Sequence, residues 1–183
     1  MPSKGICFVT LSMCLVVACA DSPPPTAPEA VSEPTHAAAA IKPSVTGRSI
    51  MMLDECDPDS FNAAIEEGAC INRNGGLTFD KFLALFMKQG QVPSWKFSPS
   101  AIHVPRTETL AIVNGGGEVH TFTEVAEFGG GLIGLLNNGA PTRPECAGAV
   151  LIPSGGQTAH TFEAGETAKY QCCIHPWMRA ETH

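Results

Sequence analysis

Residues 170–178 read YQCCIHPWM and place a thiol (Cys172), an imidazole (His175) and a thioether (Met178) within seven positions. A soft sulfur, a borderline nitrogen and a second, weaker sulfur are donors suited to a mononuclear copper ion. In such a site two imidazoles and a thiolate lie in one plane and a thioether approaches along the axis. The stretch supplies one imidazole. The other must come from elsewhere, and His120, just beyond the glycine run 115–117, is the best-placed candidate, with His160 as its rival. Cys172 and Cys173 are neighbours at a strand end and so point to opposite faces. One of them can face a metal while the other faces a disulfide partner. Pro176 stiffens the loop and has no amide hydrogen to satisfy. Trp177 supplies apolar cover, which keeps water away and helps to set a redox potential.

Other metal chemistries fit less well. Covalent haem needs a CxxCH run, which is absent. A Rieske cluster needs two Cys and two His on separate loops, and the Cys173/His175 pair has no counterpart. Adjacent thiols are too close to bridge two copper ions. Structural zinc would make poor use of Met178.

Residues 172–179, CCIHPWMR, resemble the ligand loop of amicyanin, among the plastocyanin-like cupredoxins. The FEAGE stretch at 162–166, followed by Tyr170, resembles the strand–turn–strand that leads into that loop. Residues 114–120 resemble the loop that delivers the first imidazole. The similarity spans 91–183. It implies a Greek-key β-sandwich or barrel with one copper ion per chain, held by His120, Cys172 and His175, with Met178 axial. It favours Cys172 over Cys173, because only the former leaves two residues before His175. It favours His120 over His160, which lies one hairpin from Cys172. It further implies that Asn114 holds the two ligand loops together and that the edge of His175 is an electron port within an apolar patch, to which the 132–136 loop and Trp177 would contribute.

Beyond the leader, the cysteines are Cys56, Cys70, Cys146, Cys172 and Cys173. An odd thiol in an oxidising compartment is either free or bound to something. Two disulfides plus one metal thiolate account for all five, and the simplest pairing is Cys56–Cys70 and Cys146–Cys173.

The elements that must position these groups follow in chain order. Residues 1–19 read as an export signal: Lys4, an apolar run from Ile6 to Ala18 too short to span a bilayer comfortably, and a lipobox-like end at Cys19. Lipidation at Cys19 would tie the chain to a membrane face rather than through it. The Pro- and Ala-rich 20–47 stretch is expected to be a disordered tether. Residues 48–90 read as a small helical segment. One helix starts at Asp57-Pro58-Asp59 and runs to about residue 67. A second runs from Thr78 to Gly90, with Phe79, Phe82, Leu83 and Phe86 at helical spacing. Asp54, Glu55, Asp57 and Asp59 lack the full calcium-loop pattern and read as capping and solvated charge. From Trp95 on, short apolar runs between Gly and Pro turns read as strands: 96–104, 109–113, 119–125, 149–152, 158–162 and 168–172.

A formal charge of −7 without any basic cluster argues against a nucleic-acid partner. The expectation is an exported protein, periplasmic or on the outer surface of a bacterium, that shuttles single electrons between Cu(I) and Cu(II). It makes and breaks no substrate bond, meets a redox protein at the patch near His175, and touches a membrane only through its lipid. Two alternatives stand beside it: a copper-handling protein that stores or delivers the ion, and a metal-free structural lipoprotein.

Overall fold

A computed structural model describes residues 47–71 and 76–183. The expected leader with Cys19, and all of the tether up to residue 46, lie outside the described residues. Within them the chain forms strand β1 (Ser49–Leu53), helices α1 (Pro58–Ala64) and α2 (Phe79–Gln89), and strands β2 (Lys96–Ser98), β3 (Ala101–Ile102), β4 (Glu108–Asn114), β5 (Thr123–Val125), β6 (Gln157–Phe162), β7 (Lys169–Gln171) and β8 (Arg179–Thr182). Four strands pair in the order β2-β1-β4-β6 and four in the order β3-β8-β7-β5. Ile50, Met52, Leu110, Ile112 and Phe162 from the first sheet share one core with Ile102, Tyr170 and Ala180 from the second. This is the mainly β sandwich that the resemblance implies.

The stretch 48–90 differs from its helical reading. Its first residues are β1, which lies between β2 and β4 and runs parallel to β4, with Met52 opposite Asn114. The two helices are therefore an insertion between the first two strands, not a segment that precedes the sandwich. A five-residue apolar run is too short for periodicity to separate strand from helix. Here every second residue, Ile50 and Met52, is buried. The 96–104 strand is broken at Pro99, and β2 and β3 join different sheets. Proline cannot donate to a ladder, which suits such a corner. Of 119–125 only Thr123–Val125 is a strand. Residues 149–152 contribute a single bridge, His120 to Ile152.

The insertion folds as its residues dictate. Asp57 caps α1, its Oδ2 accepting the Ser60 amide at 3.0 Å, with Pro58 in the first turn. Gly90 ends α2 in the left-handed conformation that glycine adopts without steric cost. Phe61 stacks on Trp95 at 5.9 Å, and Phe82 meets Trp95 at 4.9 Å, which joins the helices to the sandwich core. The Cys56–Cys70 disulfide closes the loop that carries α1, and Cys146–Cys173 ties the end of the long 128–145 connection to the ligand loop.

The first bridge closes a loop of 14 residues. Replacing Cys56 and Cys70 together with Ser is expected to lower stability by about 3 kcal/mol in urea unfolding of the metal-free protein. No loss would mean that the aromatic packing alone holds the insertion down.

Candidate metal centre

Three candidate donors converge at one end of the sandwich. Cys172, immediately after β7, lies with its Sγ 3.8 Å from His120 Nδ1 and 4.0 Å from His175 Nδ1. All three side chains are buried, and their donor atoms lie within 4.8 Å of one another. Donors set 2.0–2.3 Å from a shared divalent ion in trigonal or tetrahedral geometry stand roughly 3.5–3.8 Å apart. The cluster is thus sized for one ion, and one thiolate with two imidazoles suits copper.

The chain delivers each donor by a short-range device. His120 follows the 114–118 turn and is held by a pair of backbone bonds with Ile152. The turn passes so close to β1 that a Cβ on Gly116 would collide with the Asp54 carboxylate. The ligand loop closes on itself: the Cys172 amide donates to the Met178 carbonyl at 3.0 Å, and the Met178 amide to the His175 carbonyl at 2.9 Å. Met178 is buried. Pro176 is buried too, its carbonyl accepting Arg179 Nε. Two amides, of Thr121 and His175, point at Cys172 Sγ from 3.4 and 3.5 Å and help to hold a negative sulfur.

Asn114 does something other than join the two ligand loops. Its Nδ2 donates to the Glu118 and Ile152 carbonyls and its Oδ1 accepts the Gly116 amide, so it pins the His120 turn to the neighbouring chain. The tie between the ligand loops runs through Thr121, whose Oγ1 accepts the Cys173 amide at 2.7 Å. His160, the rival donor, bonds Tyr170 Oη instead.

Two acidic residues belong to the centre. Asp54, read from the sequence as capping or solvated charge, is buried, and His120 Nε2 stands 2.8 Å from its Oδ2. The Cys56, Gly117 and Glu118 amides also donate to this carboxylate. Glu118 is buried as well. Its Oε2 accepts Trp95 Nε1 at 2.5 Å and lies 3.5 Å from His175 Nε2. The signal for Asp54 was its phase: Ile50, Met52 and Asp54 alternate onto one face. For Glu118 it was its place two residues before His120.

His175 is only 2% exposed, so its edge is not the surface port that the resemblance implies. Rings of Phe82, Trp95 and Trp177 surround it at 5.5–6.4 Å. It lines instead an apolar cavity of about 250 Å³ between the two helices and the 133–136 turn.

The electrostatics follow from this packing. Burial opposes charge on the Cys172 thiol, but His120 and His175 outweigh it and hold the thiol well below its ordinary value. Burial also disfavours a proton on His120, yet Asp54 and the Cys172 sulfur raise that imidazole to about 9. Burial would raise Asp54, and His120 with the Gly117 and Glu118 amides brings it down to about 2. Burial raises Glu118, against the pull of His175 and Trp95.

No protein-family model and no curated protein matches the chain. Among solved structures it is similar to a purple cupredoxin from Nitrosopumilus maritimus, at 19% identity over 50% of this chain and 83% of that one, with a TM-score of 0.38. It is similar also to amicyanin mutants. One in a reduced Cu(I) form shares 23% identity over 48% of this chain and 70% of the other, with a TM-score of 0.34. Another reduced mutant shares 22% over 50% and 75%, with a TM-score of 0.35. Overlaps this partial leave the site to be judged on its own geometry.

In the metal-free protein the two imidazoles hold the Cys172 thiol well below its ordinary value, and His120, raised to about 9, keeps a proton near neutral pH. A bound cation must displace that proton. Copper loading is therefore expected to release protons and to weaken as pH falls. Calorimetry in buffers of differing ionisation enthalpy measures the release; a buffer-independent heat would contradict a proton held between Cys172 and His120.

Proposed function

We propose that this domain is a type 1 copper protein that carries single electrons, with one copper ion held by His120, Cys172 and His175 and with Met178 axial. The observation that carries this reading is the convergence of a buried cysteine sulfur and two buried imidazoles on a volume that fits one ion. Bound there, copper supplies a one-electron Cu(II)/Cu(I) couple. The chain's residues do the rest. The closed 172–178 loop and the His120–Ile152 backbone pair hold the donors still, so little rearrangement accompanies a change of charge. Phe82, Trp95 and Trp177 exclude water from the His175 side.

Burial of all three donors favours electron traffic over copper delivery. An ion passed to a partner by ligand exchange needs an exposed donor, whereas an electron can leave through packed side chains. The proposed docking site for a redox protein is the apolar patch over the His175 cavity, where Ile133 and Leu132 are partly exposed and Leu135 is 72% exposed. Redox encounters are small and transient, and an apolar patch of this kind suits one. Two disulfides suit an oxidising compartment outside the cytoplasm. Export through the 1–19 leader and attachment by lipid at Cys19 complete the proposal, and no substrate bond is made or broken.

Cu(II) added to the purified domain is expected to produce an intense thiolate-to-copper band in the visible, lost in Cys172→Ser, and reversible voltammetry. Tight copper binding without that band would point to copper handling, and no binding to a structural role.

A further inference from the structure

We infer that Asp54 and Glu118 are positioning residues of the metal centre: Asp54 takes the outer ring nitrogen of His120, Glu118 faces that of His175, and together they strengthen metal binding and bias the ion toward its oxidised state. The inference rests on the copper reading above.

The Asp54 pairing is a built hydrogen bond, and Glu118 is a close charged neighbour of the second ring. A ligand imidazole that binds through Nδ1 must carry its hydrogen on Nε2, and a carboxylate at Nε2 fixes that tautomer, aims the ring and makes its inner nitrogen more basic. His120 Nε2 meets Asp54 Oδ2 at 2.8 Å. The Asp54 carboxylate is itself oriented by the Cys56, Gly117 and Glu118 amides, and Gly116 leaves it room. On the other imidazole, His175 Nε2 lies 3.5 Å from Glu118 Oε2, the oxygen that also accepts Trp95 Nε1. Both acids are buried, so their fields are weakly screened. The oxidised ion has one more positive charge than the reduced ion, and acceptor oxygens one ring away stabilise it more. The helical insertion gains a role here. Asp54 is its first residue and Trp95 its last, and Phe61 and Phe82 pack on Trp95. The insertion thus braces the His120 imidazole through Asp54 and orients Glu118 beside His175 through Trp95.

The test uses the copper-loaded protein and its isosteric variants Asp54→Asn and Glu118→Gln. Midpoint potentials are read by spectroelectrochemistry, and Cu(II) and Cu(I) affinities by competition with chelators. Both variants are expected to keep the thiolate-to-copper band. Each should lose Cu(II) affinity by roughly 10–100-fold, with a smaller loss for Cu(I). The potential then rises by about 59 mV for each tenfold change in the ratio. Trp95→Phe keeps the ring but removes the donor that orients Glu118, and should raise the potential in the same direction by less; it serves if Glu118→Gln does not fold. An intact band with unchanged potential and affinity would overturn the inference and leave the copper reading standing. Absence of the band from the unaltered protein would end both.

Discussion

The structure depends on one charge arrangement: a buried sulfur, its thiol held well below its ordinary value, flanked by two imidazoles in a protein interior that would otherwise reject a charge there. An isolated buried anion is costly, and the group would normally take up a proton instead. Here the Thr121 and His175 amides and the two rings hold the negative sulfur in place. The rings in turn need something to face, and Asp54 and Glu118 provide it. Sulfur, nitrogen and carboxylate thus alternate outward from a central point, and every layer is oriented by backbone amides or by Trp95. Such an arrangement suits a bound cation.

The sandwich and the insertion share the task. The strands bring the His120 turn and the Cys172 loop to one end of the fold, where Thr121 joins them. The insertion brings Asp54, Trp95 and an aromatic lid. Its cost is access, because His175 lies under Phe82 and Trp177 rather than at the surface. What remains open is the apolar cavity beside the 133–136 turn, lined by side chains of both the insertion and that turn.

Legibility in the sequence tracked the range of the interactions. Cys172, His175 and Met178 stand out because their relation is local, and the α2 face because Phe82 and Phe86 recur one turn apart. The cysteine count led to both disulfides. Asp54 was misread because its phase with Ile50 and Met52 becomes a burial signal only once β1 pairs with β4, a contact across some sixty residues. The exposure expected of His175 failed for the same reason: the covering helices lie about ninety positions upstream. The short strands next to the centre were overestimated because His120 and Thr121 are consecutive and both buried, which breaks the alternation that defines a half-buried strand.

The most direct measurement of the central claim is X-ray absorption at the copper edge of the loaded protein. The arrangement of Cys172, His120 and His175 predicts one short sulfur neighbour and two imidazole nitrogens around copper, with the sulfur shell lost in Cys172→Ser. A first shell of nitrogen and oxygen alone would contradict it.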